Sequence, residues 1–336
     1  MNLALKILSY ILVGIIFGIG GFVLSRKLDS TNTQPEIVKE IIPRPLDKYA
    51  FENLINTQVP QGKIELGDLL EETDHYTSHS FRLEFDPTLT GKHSQIVTGV
   101  INLPIKSSLS PLVLMFRGYV DPEIYSPGVG TKRAAAEFAK AGMITVSPDF
   151  LGYGGSDLNS SDIMESRFQT YTTAMSVLAS LNSIVQWDGR NLYLWGHSNG
   201  GQIAIILLEI TGRPIPTVLW APVSKPFPYS VLYYTDESED KGKFLRKQIA
   251  DFESLYDANK YSLDNFFNRI KAPIQLHQGT ADDAIPKAWS DGLSQKLLNL
   301  DLELNYFIYP GADHNLTPGW DTVVQRNLEF FEKYIQ

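Results

Sequence analysis

One stretch, Leu192–Gly201 with the sequence LYLWGHSNGG, constrains the fold more than any other part of the chain. A short apolar run ends at Gly196, and an almost entirely aliphatic segment, Ile203–Ile210, follows two further glycines. This pattern indicates a strand, a sharp turn and a buried helix. Glycines two positions before and after Ser198 are expected where a side chain would collide with the neighbouring strand or helix. The serine hydroxyl would stand at a helix N-terminus, where backbone N–H groups stabilise an oxyanion. A chance Gly-x-Ser-x-Gly match in a loop is the alternative.

The composition of the chain excludes several kinds of partner and catalytic group. The 336 residues are 43% hydrophobic and 20% charged, which is sufficient for a sizeable core in one large domain or two small ones. The formal net charge of −9 argues against a nucleic-acid partner. There are no cysteines, so a disulfide, a thiolate nucleophile and a cysteine-ligated metal are all impossible. Dinucleotide-binding, phosphate-loop and metal-ligand spacings are absent from the sequence, and we expect no cofactor and no metal.

The first 27 residues predict a membrane anchor. Residues 7–24, ILSYILVGIIFGIGGFVL, are uncharged and apolar, and their length suits a bilayer core. A cleaved signal peptide is the alternative, but no small-x-small cleavage site follows the stretch. We therefore predict a single-pass anchor over 1–27, with the catalytic domain on the extracytoplasmic side.

Residues 28–61 are polar, contain four prolines and lack a sustained period, which predicts a stalk. An ordered arm packed on the domain is the alternative.

Residues 62–336 predict a domain of α/β type. Near-continuous apolar runs such as Pro111–Phe116 indicate strands buried on both faces, and these runs alternate with helical segments. Such alternation predicts a mostly parallel central sheet with helices on both faces. The alternation breaks at about residues 222–271, a stretch rich in aromatic residues. We predict a helical lid there, above the carboxyl ends of the strands, where ligands bind in such sheets.

Two loops downstream of Ser198 carry a candidate acid and a candidate base. The predicted strand Pro273–His277 leads into GTADD at residues 279–283, and the predicted strand Leu302–Ile308 leads into GADH at residues 311–314. A serine hydroxyl is a poor nucleophile until a base takes its proton, and the base needs a carboxylate to fix its tautomer. Both loops follow strand ends on the side where the turn at Ser198 opens, so we expect them to meet the serine.

Two histidines follow the serine in the sequence, and His314 is the predicted base. His277 ends its strand before the acidic loop, which makes it the less favoured candidate. A histidine in a surface loop without a catalytic role is the alternative for His314.

From about Phe81 to the end, the chain resembles the α/β-hydrolases. The segments Ser198-Asn199-Gly200-Gly201, GTADD at 279–283 and GADH at 311–314 are most similar to the catalytic domain of the prolyl oligopeptidase family of serine peptidases, and dienelactone-hydrolase-like esterases are close relatives. The resemblance implies an α/β-hydrolase fold with the predicted helical lid as an insertion. It also implies a catalytic triad of Ser198, Asp282 and His314, with Asp283 as the alternative acid.

The loop after Pro111–Phe116 resembles the family's oxyanion loop. Its residues Arg117-Gly118-Tyr119 are similar to His-Gly-x, and we expect the backbone N–H groups of Tyr119 and Asn199 to form the oxyanion hole. The chain departs from prolyl oligopeptidases at two positions. Arg117 stands where those peptidases carry a tyrosine whose hydroxyl helps to bind the oxyanion, and Leu151 replaces the arginine of their Asp-x-Arg-Gly-x-Gly turn. The region before the sheet is also far too short for their propeller domain.

These features together predict a serine hydrolase that acts through an acyl-enzyme on a small-molecule or short-peptide substrate. A peptidase on short peptides or aminoacyl amides is narrowly favoured, and a carboxylesterase on small acyl esters is the alternative. From a different class, an inactive membrane-tethered binding module stays open, but such a protein would be expected to have lost part of the triad.

Overall fold

A computed structural model describes residues 42–105 and 109–336. Within these ranges, the chain from Arg44 to Gln336 forms one compact unit. The membrane anchor predicted over 1–27 lies outside the described residues and stays a prediction. In the ranges that are described, none of the helices combines the length and the apolar character needed to cross a bilayer.

The described residues form nine strands and eight α-helices that largely alternate along the chain. The strands are β1 (Glu65–Glu72), β2 (Tyr76–Phe85), β3 (Gln95–Pro104), β4 (Ser110–Phe116), β5 (Ile144–Pro148), β6 (Trp187–His197), β7 (Thr217–Trp220), β8 (Ile274–Gly279) and β9 (Leu304–Tyr309). The helices are α1 (Phe51–Asn56), α2 (Lys132–Lys140), α3 (Ile163–Ser180), α4 (Asn199–Thr211), α5 (Tyr229–Leu232), α6 (Lys243–Glu253), α7 (Lys287–Leu298) and α8 (Trp320–Lys333).

All nine strands belong to one sheet in the order β1-β2-β3-β5-β4-β6-β7-β8-β9. Strands β1, β2 and β3 are antiparallel to their neighbours in the sheet. The other six strands, β4 to β9, run parallel to one another. Parallel strands need crossover connections, and helices supply them here. The carboxyl ends of β4, β6, β8 and β9 therefore lie at one edge of the sheet. The predicted mostly parallel sheet is confirmed.

Two apolar clusters cover the two faces of the sheet. One cluster packs α3, α4 and the segment around α1 against the sheet, and the other packs α2 and α8 against the opposite face. Helix α4, which follows the turn at Ser198, is buried along almost its whole length, which explains its largely aliphatic sequence. The helices thus hold the sheet from both sides, as the sequence pattern predicted.

The compact unit begins at Arg44 and not at residue 62, so the predicted stalk over 28–61 is too long. Tyr49 and Phe51 are fully buried, and Leu54 is nearly so, because α1 and the turn before it pack into the main core. Only a few apolar side chains anchor this arm, and they are separated by polar residues. They give no sustained period, which is why the sequence pattern suggested a stalk. The ordered arm that was the alternative describes residues 44–61 better.

The insertion at residues 222–271 is helical, as predicted. It contains α5, α6 and three short 3₁₀ helices. Its aromatic residues gather around Phe168 of α3, whose ring centroid lies 4.9 Å from that of Tyr261 and 5.7 Å from that of Phe252. The arm before α1 reaches the same cluster. The Leu46 N–H donates to the Tyr256 hydroxyl, and the Tyr261 hydroxyl donates to the Leu46 carbonyl, both at 3.2 Å.

Substitution of Phe51 tests whether this arm is part of the domain. We expect Phe51→Ala to lower the free energy of unfolding by about 3–5 kcal/mol, because it leaves a cavity in the core. Glu52→Ala is the matched control on the exposed side of α1 and should change stability by no more than about 0.5 kcal/mol. Urea unfolding of the full chain measures both. Equal effects of the two substitutions would show that the arm contributes nothing to the core.

Candidate active site

Ser198 occupies the turn between β6 and α4 in a strained backbone conformation, with φ of +57°. The glycines around it are sterically required. A Cβ on Gly196 would lie 2.5 Å from the Gly200 carbonyl oxygen, and a Cβ on Gly200 would collide with the Phe116 carbonyl at the end of β4. The Ser198 N–H donates to the Trp220 carbonyl at 2.9 Å, which ties the turn to β7. The turn is therefore held on both sides, with the serine at the N-terminus of α4.

Asp282 and His314 are joined by a hydrogen bond. The His314 Nδ1–H donates to Asp282 Oδ2 at 2.9 Å, and the carboxylate side chain is fully buried. Amide groups of Ala284 and Ile285 donate to Oδ1, and the Gln278 side chain donates to Oδ2. Burial alone would raise the pKa of Asp282, but the hydrogen bonds from His314 and the Ile285 amide bring that pKa below its ordinary value. The carboxylate is thus kept ionised and fixes the His314 tautomer with Nε2 free.

His197 brings His314 to the serine, and sequence reasoning did not single it out. Its Nε2–H donates to the His314 carbonyl at 3.0 Å, and the two ring centroids are 4.6 Å apart. Because His197 immediately precedes Ser198, this contact ties the loop of the candidate base to the turn that carries the candidate nucleophile. Within the described residues, no hydrogen bond joins Ser198 Oγ to His314, and such catalytic contacts commonly tighten when substrate binds. His197 occupies the first variable position of the Gly-x-Ser-x-Gly motif, and the motif therefore gave no indication of its role.

The alternative acid, Asp283, makes no hydrogen bond with His314 among the described residues. Asp283 is exposed, and within the described ranges the His314 Nδ1–H donates to the carboxylate of Asp282. His277 is fully buried, its Nδ1 lies 2.8 Å from the Tyr309 hydroxyl, and burial lowers its pKa to about 3. A neutral histidine locked in the core cannot exchange protons with a substrate, so His277 has a structural role.

The two expected oxyanion donors belong to segments that meet at Ser198. Asn199 is the first residue of α4, and its N–H has no acceptor within the helix. A Cβ built on Gly118 would lie 3.1 Å from the Ser198 Cβ, so the loop after β4 passes directly beside the nucleophile. Tyr119 follows in that loop, with its ring 73% exposed. The backbone arrangement can therefore present two N–H groups to one face of an attacked carbonyl.

Arg117 is buried, and its two terminal nitrogens bind backbone carbonyls. Its Nη1 donates to the Gly118 carbonyl at 2.9 Å, and its Nη2 donates to the Asp149 carbonyl at 3.0 Å. The guanidinium also lies 4.0 Å from the ring centroid of Tyr153 and 4.6 Å from that of Tyr125. Such stacked contacts favour a cation. Arg117 thus fastens the oxyanion loop to the turn after β5.

Two cavities flank the serine. The first, which we call the oxyanion-side cavity, has a volume of about 230 Å³ and is lined by residues that include Asn199 and Tyr119. The second, the histidine-side cavity, has a volume of about 470 Å³ and is lined by His197, Asn315 and Trp320 among others. The site therefore offers separate spaces on the two sides of the nucleophile. Among the described residues, no cluster of three or more His, Cys, Asp or Glu side chains could hold a metal ion.

Substitution of the three candidate residues tests the site. We expect Ser198→Ala, His314→Ala and Asp282→Asn each to lower kcat for p-nitrophenyl acetate by about a thousandfold or more, with the fold retained. Asp283→Asn is the matched control and should cost much less, because its carboxylate makes no contact with His314. A crippling effect of Asp283→Asn together with a mild effect of Asp282→Asn would overturn the assignment of the acid.

The buried His197 predicts an acid-sensitive stability. Burial, with a smaller contribution from the charge on His314, lowers its pKa from 6.5 to about 4. Between these pH values the unfolded chain binds one more proton than the folded one, so stability falls as pH falls. We expect His197→Gln to reduce this slope by about 1 kcal/mol per pH unit. Urea unfolding of both proteins across this pH range measures it, and identical slopes would contradict the prediction.

Comparisons with known proteins agree with this geometry. Residues 131–336 match the model of the prolyl oligopeptidase family, Peptidase_S9, and this range contains Ser198, Asp282 and His314. The acetyl esterase Axe7A of Xylanibacter ruminicola is 23% identical over 274 residues, which are 76% of this chain and 61% of that protein. The chain therefore spans about three-fifths of the length of this relative.

Solved structures share the fold at low sequence identity. Acetyl xylan esterase 1 from Thermoanaerobacterium sp. JW/SL YS485 is 16% identical, with a TM-score of 0.60 over 87% of this chain and 95% of that one. A puromycin-hydrolyzing peptidase of Mycobacterium tuberculosis is 15% identical, with a TM-score of 0.52 over 81% of this chain and 39% of that one. The fold is that of the α/β-hydrolases. Because the family model matches more than half of the chain, the chain belongs to the prolyl oligopeptidase family.

Proposed function

We propose that the protein is a carboxylesterase that hydrolyses short acyl esters. The sequence alone narrowly favoured a peptidase. The observation that carries the proposal is the state of Arg117, whose two terminal nitrogens both donate to backbone carbonyls of its own surroundings. The Nε of this side chain, which stands where peptidases of the family carry a tyrosine, is buried without a hydrogen-bond partner among the described residues. We therefore take the backbone N–H groups of Asn199 and Tyr119 as the oxyanion donors.

An oxyanion hole of this kind suits an ester better than an amide. An alkoxide leaves without much help, whereas an amide nitrogen must be protonated as it departs. Amide cleavage therefore needs more stabilisation of the tetrahedral intermediate, and removal of one donor typically costs about two to three orders of magnitude in kcat. The loss of a side-chain donor at position 117 is thus expected to lower amide hydrolysis more than ester hydrolysis.

The extents of the similarities also support an esterase. The acetyl xylan esterase structure is covered over 95% of its length, including the part before the family match, whereas the peptidase structure is covered over only 39%. The curated relative is likewise described as an acetyl esterase.

The reaction proceeds in two balanced steps. Ser198 Oγ attacks the ester carbonyl carbon while His314 Nε2 takes the hydroxyl proton, and the backbone N–H groups of Asn199 and Tyr119 stabilise the oxyanion. The carbon–oxygen bond to the alcohol then breaks, and His314 returns the proton to the departing oxygen. In the second step, water is activated by His314 and releases the carboxylic acid from the serine. Asp282 orients His314 and stabilises its charged form throughout.

We assign the leaving group to the histidine-side cavity, because its lining includes His197 and Asn315, the sequence neighbours of Ser198 and His314. His314 must deliver a proton to the departing oxygen, so the alcohol has to lie on the His314 side of Ser198. Three tryptophans line that cavity, namely Trp195, Trp220 and Trp320. Aromatic walls with polar neighbours suit a compact alcohol that has both apolar and hydroxyl surfaces. We propose small-molecule esters as substrates on this ground, because the two cavities have volumes of about 470 and 230 Å³.

Matched ester and amide substrates test the proposal. We expect the full chain to hydrolyse p-nitrophenyl acetate and alanine p-nitrophenyl ester, with kcat/KM at least about a thousandfold above that for p-nitroacetanilide and alanine p-nitroanilide. Ser198→Ala is the control and should abolish both activities. Comparable cleavage of the anilides, or of short peptides with varied side chains, would establish the peptidase in place of the esterase.

A further inference from the structure

The oxyanion-side cavity carries two cationic side chains and no acidic one. Arg117 and Arg167 both line it, and none of its lining residues is Asp or Glu. Arg167, on α3, donates from Nη2 to the Gln202 side-chain oxygen at 2.7 Å, and its Nε has no hydrogen-bond partner among the described residues. Within the same ranges, no carboxylate oxygen lies within 4 Å of the Arg167 guanidinium. A half-buried cation has thus lost water without gaining a counter-charge.

The Nε of Arg117 also lacks a hydrogen-bond partner among the described residues, but Arg117 has a carboxylate in its surroundings. The charge of Arg117 acts on the nearby Asp149 carboxylate, whose pKa burial raises and the arginine partly lowers. The neighbours of Arg167 are instead neutral: the Gln202 amide, the Phe227 ring at 5.6 Å and Tyr171. Desolvation of a charge is costly unless an opposite charge or several hydrogen bonds compensate for it. A bound anion would supply what the protein does not.

The position of the cavity decides which half of the substrate it receives. Its lining includes Asn199 and Tyr119, the residues of the oxyanion hole, but no residue of the loops that carry Asp282 and His314. The leaving group must lie beside His314, so a group in the oxyanion-side cavity belongs to the acyl half of the ester. The same cavity is lined by apolar side chains, including Leu151 and Ile163, which can enclose a short methylene chain.

We propose that the oxyanion-side cavity binds an acyl chain that ends in a carboxylate, and that Arg167 pairs with this carboxylate. The substrate class is then the monoester of a short dicarboxylic acid, such as a succinyl or glutaryl ester. This inference rests on the proposed ester hydrolysis and specifies its acyl group. Arg167 determines specificity and takes no part in bond breaking, which stays with Ser198 and His314.

The test compares an anionic ester with its neutral, nearly isosteric amide. Monoethyl glutarate and ethyl glutaramate differ in one terminal group, and ethanol release measures both. We expect wild-type kcat/KM to favour the monoanion by about tenfold, as one charge-assisted hydrogen-bonded pair would give. In Arg167→Gln this ratio should fall to about one, mainly through KM, and Arg167→Lys should retain part of the preference.

The controls separate this inference from the proposed esterase. Arg82→Gln removes one positive charge from the exposed face of β2, which does not line the cavity, and should keep the wild-type ratio. Hydrolysis of both ethyl esters with a wild-type ratio of one or below would overturn the anionic acyl group and leave the esterase standing. An equal loss on both esters in Arg167→Gln would show a structural role and also overturn the inference. Failure of every ester, p-nitrophenyl acetate included, would instead overturn the esterase.

Discussion

Close contact between three backbone segments governs the architecture of the active site. The Phe116 carbonyl at the end of β4 lies against the start of α4, and only glycine at position 200 fits between them. Since β4 and β6 pair in parallel with Phe116 opposite Gly196, the register of these two strands sets the position of the turn between β6 and α4. The same register fixes the loop after β4 beside Ser198. The nucleophile and the oxyanion hole are therefore positioned by one packing constraint.

A cation beside the turn after β5 is retained although its sequence position has changed. Members of the family carry an arginine where this chain has Leu151, and here Arg117 places its guanidinium against Tyr153 and the Asp149 carbonyl. The arginine thus arrives from the oxyanion loop and not from the turn itself. It also links the geometry of the oxyanion loop to the turn that borders the acyl side of the site.

The parts that could be predicted from the sequence are those whose signals are local. Ser198, Asp282 and His314 each follow a strand end and carry a short motif, and the strands themselves are apolar runs with clear boundaries. Other features depend on partners far away in the chain. Arg117 gains its role from Tyr153 and the Asp149 carbonyl, and Arg167 from Gln202 and from having no carboxylate within 4 Å among the described residues. Helix α1 is held by side chains of α3 and the insertion. Strand β1 is an exposed edge strand without alternation, so its sequence showed neither a buried run nor a period.

The hydrogen bonds between Leu46 and the tyrosines of the insertion have a consequence for how substrate enters. A cover that swung away from the sheet would have to break both bonds and expose the aromatic rings packed on Phe168. The arm around Leu46 thus holds the insertion in place through these two hydrogen bonds. We therefore expect substrate to enter without displacement of the insertion, at no cost in broken hydrogen bonds or exposed aromatic surface.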